Sequence, residues 1–258
     1  MDDNKQSLGF RFLKSLVRLF YPNTEIIGCE NLSDESCIIV GNHAQMHGPL
    51  VSELFFPDSC HTWCAAEMMQ LKEVPAYAYK DFWSQKPVYI KWFYKLLSYI
   101  IAPLCIFIFN NARTIGVYRD VRLRNTFRES IEKLESGSSV VIFPEHASPH
   151  NNIVYDFQDG FIDVARMYYK RRGKAVSFVP MYIAPALKKA YLGKAIRFDP
   201  NAPIDQERKR ICNYLMTQIT DIARSLPEHT VVPYMNISKK LYPSNISAEV
   251  TANENTGS

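Results

Sequence analysis

The chain has 258 residues, which suits one α/β domain with a well-buried core. Hydrophobic residues make up 47% and charged residues 22%, the balance of a globular protein, which excludes a disordered or fibrous chain. The net charge of +4 is compatible with an anionic membrane surface, but it is too small for a nucleic-acid reader and no basic tract is interleaved with aromatics.

Residues 1–24 read as an amphipathic N-terminal unit. The chain opens Met1-Asp2-Asp3, acidic where a secretory signal would be basic. Over 8–20, Leu13, Leu16, Val17 and Phe20 keep helical spacing on one face, with Arg11, Lys14 and Arg18 on another. Tyr21-Pro22-Asn23 ends the helix. Two readings fit: a basic amphipathic helix at a membrane interface, or a helix packed on a sheet with a basic outer face.

Residues 25–243 read as the main domain. Runs 25–29 and 37–40 predict strands, a helix is predicted from 48 to 55, and 62–66 predicts another strand. The segment 92–109 is almost wholly apolar, with Lys95 its one charge and Pro103 expected to kink it. It is near the lower length limit for a bilayer span. Three readings compete: a span, a half-immersed interfacial helix, or a core helix running into a core strand. A single crossing would put the two halves of one sheet on opposite sides of the membrane, so an interfacial or half-buried helix is preferred.

Beyond it, 114–118, 140–143, 175–183 and 195–198 predict strands, and 120–135, 160–169 and 205–226 predict helices. Ser136-Gly137 and Lys170-Arg171-Arg172-Gly173 read as helix ends. The small, polar stretch 244–258 is expected to be a disordered tail. Strands alternating with helices predict a mostly parallel sheet covered on both faces. Of six cysteines, Cys29, Cys37 and Cys105 sit in apolar runs, as expected of thiols in a reducing compartment.

Two strand endings carry the chemistry. Cys37-Ile38-Ile39-Val40-Gly41 runs into Asn42-His43, and Val140-Val141-Ile142-Phe143 runs into Pro144-Glu145-His146. The carboxyl ends of strands in an open α/β sheet are where ligands bind, so an imidazole and a carboxylate would face one crevice if those strands are neighbours. Further along lie Gly116-Val117-Tyr118-Arg119, Phe157-Gln158-Asp159-Gly160 and Val179-Pro180.

In that order and spacing, from about 25 to about 198, these blocks resemble those of the glycerolipid acyltransferase family, the lysophosphatidate and glycerol-phosphate acyltransferases. That family carries N-H-x-x-x-x-D, G-x-x-x-x-R, F-P-E-G-T-R-S and a late V-P. Asn42-His43 matches the first block, Gly116-Val117-Tyr118-Arg119 resembles the second with Arg119 in place of its arginine though two residues nearer the glycine, and Phe143-Pro144-Glu145 begins the third. Two departures stand out: Gly48 replaces the aspartate, and His146-Ala147-Ser148-Pro149 replaces G-T-R-S.

The resemblance implies acyl transfer from acyl-CoA or acyl-carrier protein to a hydroxyl of a glycerolipid-like acceptor, with no metal or organic cofactor. His43 would be the general base and Glu145 would orient either His43 or the acceptor. Arg119 would hold the acceptor's anionic end, and Asn42, His47, Gly116, Pro144 and His146 would line the substrate. The expected place is the cytoplasmic face of a membrane, with membrane lipid and the acyl carrier as partners and no nucleic acid.

With Gly48 in place of the aspartate, Glu145, His47, Asp156 and Asp159 are the candidates to orient the imidazole. Restoring an aspartate at 48 is the natural test of a lost dyad. Two alternatives stay open. One is a catalytically impaired homologue that binds lipid or acyl carrier. The other is a metal-dependent hydrolase built on the spaced pairs His43/His47 and His146/His150.

Overall fold

The computed structural model describes residues 6–32, 35–84, 86–146, 153–154 and 156–247. An eight-stranded sheet lies at its centre, in the order β1-β7-β6-β2-β5-β3-β4, with β8 beside β6. The strands are β1 Glu25–Ile27, β2 Cys37–Gly41, β3 Cys60–Ala65, β4 Thr114–Val117, β5 Ser139–Ile142, β6 Ser177–Ala184, β7 Lys189–Leu192 and β8 Ile196–Arg197. From β6 through β2, β5 and β3 to β4 every pairing is parallel, and only β7 and β8 run antiparallel to β6. The mostly parallel sheet expected from the strand–helix alternation is therefore present. β7 was not foreseen, because Lys189-Ala190-Tyr191-Leu192 is a short run with little strand pattern of its own; it pairs β1 and β6 on its two sides.

β2 is buried along its whole length, as a central parallel strand must be. Its side chains alternate. Ile38 and Val40 join the core under α5 Leu123–Glu135, α6 Asp163–Arg172 and α7 Ile204–Ser225. Cys37 and Ile39 join the opposite core, with Val51 of α2 His47–Phe55 and, at its edge, Tyr21. Hence the sheet is covered on both faces.

α1 Leu8–Phe20 is capped by Ser7, whose hydroxyl accepts from the Phe10 N–H. It is fastened to the body through Glu53 of α2, which accepts from Lys14 Nζ and Gln6 Nε2, each at 2.8 Å. The expected face does not hold together. Leu13 and Val17 turn partly inward with Lys14, whereas Leu16 and Phe20 face out beside Leu8, Phe12 and Leu19. The outer face is thus apolar, flanked by Arg11 and Arg18, while buried Phe10, packed on Phe107, and Lys14, bonded to Glu53, mark the inner side.

The segment 92–109 lies within α4 Lys91–Asn111, which runs on through Pro103. By length and composition it could cross a membrane, and only 11% of its most apolar stretch is buried. Crossing is excluded by topology. α4 belongs to the connection between β3 and β4, and those strands are bonded neighbours, Trp63 beside Ile115 and Cys64 beside Gly116. A bilayer cannot separate two paired strands. The helix instead packs on α3 Val74–Ala78 through Ala102, Ile101 and Cys105 and presents Trp92, Phe93, Leu96, Tyr99, Ile100, Leu104 and Phe107 outward.

One expectation is overturned at the C-terminus. Ser244 and Asn245 do not belong to a disordered tail. Ser244 bridges Thr230, and Asn245 is fully buried, donating to Ala223 O at 2.8 Å and accepting from the His229 N–H at 2.8 Å. A small polar residue here satisfies carbonyls left at the end of α7. Residues 248–258 lie outside the described residues.

Candidate functional site

β2 and β5 are adjacent and parallel, with Val40 beside Ile142. Their carboxyl ends therefore deliver His43 and Phe143-Pro144-Glu145 to one place. Asn42 braces this edge: its Nδ2 donates to Ile183 O at 3.1 Å and its Oδ1 accepts from the Ile183 N–H at 2.7 Å. With both ends of its carboxamide held by β6, Asn42 is a structural clamp rather than the substrate ligand expected.

After His43 the backbone makes a tight left-handed turn, with φ +45° at Ala44 and +54° at Gln45. Non-glycine residues avoid this region, and holding one there costs of order 1–3 kcal/mol. Gln45 is held by its side chain, whose Nε2 donates to Met235 O at 3.1 Å and Tyr242 Oη at 2.6 Å. The turn brings the Gly48 N–H to His43 O at 3.0 Å and starts α2.

Gly48 has no room for a side chain. A methyl there would lie 2.5 Å from His43 O and 2.9 Å from Phe143 Cε1. The space where an aspartate would reach the imidazole is occupied by backbone and by the Phe143 ring, which meets His43 edge-on at 5.4 Å between centroids. An aspartate at 48 would therefore displace the start of α2 before it could orient His43, and it does not test a lost dyad.

None of the other candidate partners holds the ring. His47 Nδ1 is hydrogen-bonded to Tyr21 Oη at 2.7 Å, and Asp156 and Asp159 are exposed. His43 Nδ1 and Glu145 Oε1 are both buried and have no hydrogen-bond partner among the described residues. Burial lowers His43 to about 4, against an opposing pull from the backbone of Gln45 and of His43 itself. Burial also raises Glu145 to about 8, opposed by a hydrogen bond from the His43 backbone. Near neutral pH the site therefore holds a neutral imidazole beside a protonated carboxyl.

The ring's second close neighbour came from outside every motif. Tyr234 stacks on His43 at 4.6 Å, tilted by 52°. Its hydroxyl is pushed up by burial and by the charges of Asp81 and Glu145, and eased by Arg119. Arg119 is exposed, and its charge reaches Tyr234, Tyr77 and Asp81. Tyr77, Asp81 and Tyr234 were missed because each is one aromatic or acid in a stretch without a motif.

The remaining candidates are placed otherwise. Gly116 is buried in β4 against Met69 and Ala66, and its carbonyl accepts from Thr126 Oγ1 at 2.7 Å, so it makes room for packing and not for substrate. Pro144 is buried and its carbonyl accepts from the Gln158 N–H at 2.8 Å. His146 is exposed, and its N–H donates to Asp156 O. Among the described residues no three histidine, cysteine, aspartate or glutamate side chains cluster as metal ligands; His150 and Ser148 lie outside the described residues.

No family model matches the chain, and no curated protein matches it. Among solved structures it is similar to the 1-acyl-sn-glycerophosphate (LPA) acyltransferase PlsC from Thermotoga maritima. The two are 16% identical over 83% of this chain and 79% of that one, with a TM-score of 0.49.

Proposed function

We propose that the protein is an O-acyltransferase that moves an acyl group from a thioester, acyl-CoA or acyl-carrier protein, to a hydroxyl of a glycerolipid-like acceptor at a membrane surface. The observation that supports it most is the pairing of β2 with β5, which puts His43 and Glu145 at neighbouring strand tips in the order the sequence blocks require.

In this reading His43, kept neutral by burial, takes the proton of the acceptor hydroxyl as that oxygen attacks the thioester carbonyl. A carboxyl raised to about 8 is protonated at neutral pH, so Glu145 can donate a hydrogen bond to an acceptor oxygen. Its role is acceptor binding rather than orientation of His43, whose buried Nδ1 it does not reach. Arg119 holds the acceptor's anionic end, the reaction needs no metal or organic cofactor, and the acyl carrier is a substrate.

The outward faces of α1 and α4, joined where Phe10 meets Phe107 at 6.4 Å, supply the membrane contact. Burying a large apolar side chain contributes about 1.5–3 kcal/mol, whereas each basic residue near an anionic surface adds about 1 kcal/mol. The exposed apolar residues of the two helices therefore outweigh Arg11 and Arg18, and α4 lies in the interface.

A second reading, a lipid- or acyl-carrier-binding homologue with impaired catalysis, is favoured by the unpartnered Nδ1 of His43. The test is acyl-thioester consumption across a panel of hydroxyl acceptors. Acceptor-dependent consumption, greatest with a lysophospholipid bearing a phosphate monoester, supports transfer. Binding of lipid without consumption supports the second reading.

A further inference from the structure

The segment 231–243, between the end of α7 and the C-terminal stretch, belongs to no sequence block, yet it is built into the site. Its base is clamped: Thr230 bridges Ser244, the Val231 N–H donates to Pro243 O at 2.8 Å, and the Asn245 N–H donates to His229 O at 3.0 Å. Beneath the clamp, the buried His229 ring is hydrogen-bonded to buried Tyr182 Oη at 2.8 Å and to Pro227 O at 2.7 Å. A chain excursion whose ends meet in this way is an Ω-loop, a form that packs on its own side chains and often carries function.

The loop's far side reaches the His43 turn. Gln45 grips it at two points, Met235 O and Tyr242 Oη. Asn236 Nδ2 donates to Asp81 O at 3.4 Å, which ties the loop to the segment after α3. Between these contacts Tyr234 lies against the imidazole, and with Phe143 it confines the ring on two sides. No carboxylate does so, since a side chain at 48 is excluded and Glu145 leaves Nδ1 without a partner.

We propose that Tyr234 is a positioning residue for His43, holding the imidazole by ring packing where a dyad would hold it by a hydrogen bond, and that Gln45 is the clip that keeps the Ω-loop in place. The left-handed turn at Ala44 and Gln45 has a purpose in this account, because it aims the Gln45 amide at the loop. The inference rests on the reading of His43 as the base, but it has a consequence that needs no substrate: the exposure of the imidazole to an electrophile.

The experiment uses the full chain and four proteins: parent, Tyr234→Ala, Tyr234→Phe and Gln45→Ala. Diethyl pyrocarbonate modification of His43 is followed by peptide mass spectrometry, with exposed His146 as the internal reference. Thioester consumption is measured in parallel. Tyr234→Ala is expected to speed His43 modification several-fold and to lower kcat about tenfold with little change in KM, the signature of lost orientation. Tyr234→Phe recovers most of both, because it keeps the ring. Gln45→Ala shifts both in the same direction as Tyr234→Ala and leaves the core intact, which guards against a folding artefact.

Unchanged His43 modification in Tyr234→Ala overturns the proposal. So does failure of Tyr234→Phe to recover, which would assign the effect to the hydroxyl. A rise in kcat for Tyr234→Ala also overturns it, since the loop would then be an obstruction. A parent that consumes no thioester sinks the acyltransferase reading alone, because the modification arm still reports on the packing.

Discussion

His43 and Glu145 sit in environments that act on their protons in opposite senses, and this has a measurable effect on stability. Glu145 keeps its proton to about 8 when folded, but it gives it up near 4.5 when unfolded. Its contribution to stability is thus full below 4.5 and is lost as pH rises toward 8, at up to about 1.4 kcal/mol per pH unit. Glu145→Gln should lack that decline, so denaturation midpoints of the two proteins should diverge between pH 5 and 8, with the variant the more stable at the top. His43, lowered to about 4 from 6.5, gives the reverse slope, with stability lost as pH falls through that interval.

The same two groups predict activity over a window from about 4 to about 8, bounded by protonation of His43 and ionisation of Glu145, in the pH dependence of kcat/KM. An acid limb near 6.5 would show that the imidazole is not desolvated. At position 48 the prediction concerns packing. Gly48→Ala should destabilise by about 1–3 kcal/mol in chemical denaturation, since a Cβ would meet the His43 carbonyl and the Phe143 ring. His43 and Glu145 were legible because apolar runs ending in Gly-Asn-His and Phe-Pro-Glu mark strand tips. Tyr234 was not, because its partner lies far away in sequence and the contact is made by a loop whose course no periodicity encodes.

At the scale of elements, α1 and α4 show how far pattern alone reaches. Helical spacing found α1 and a long apolar run marked α4, but the side of α1 that faces in is fixed by partners distant in sequence, Phe107 for Phe10 and Glu53 for Lys14. For α4 the composition allowed a span, and strand order decided against it. The exposed face makes a direct prediction. Ile100→Glu and Leu104→Glu, at positions 65% and 52% exposed, should leave the unfolding midpoint nearly unchanged. In co-sedimentation with anionic vesicles they should sharply reduce the bound fraction. Undiminished vesicle binding would remove α1 and α4 as the docking face.

On the scale of the whole molecule, the sheet order is what turns scattered blocks into a site. The alternation of strands and helices indicated a parallel sheet, whereas the neighbour relation of β2 and β5 follows from crossovers that only the folded chain reveals. β7 escaped notice for a related reason: a run this short becomes a strand only when partners flank it. The expectation of a disordered end at Ser244 failed because Asn245 has its partners at the end of α7 and in His229, which close the Ω-loop over His43.

Acceptor-dependent consumption of an acyl thioester by the parent and by His43→Ala, side by side on one lysophospholipid, tests the central claim most directly. The account predicts measurable transfer by the parent and a loss of about 10²- to 10⁴-fold in kcat for the variant, the usual worth of a positioned general base. Equal rates in the two proteins would contradict it.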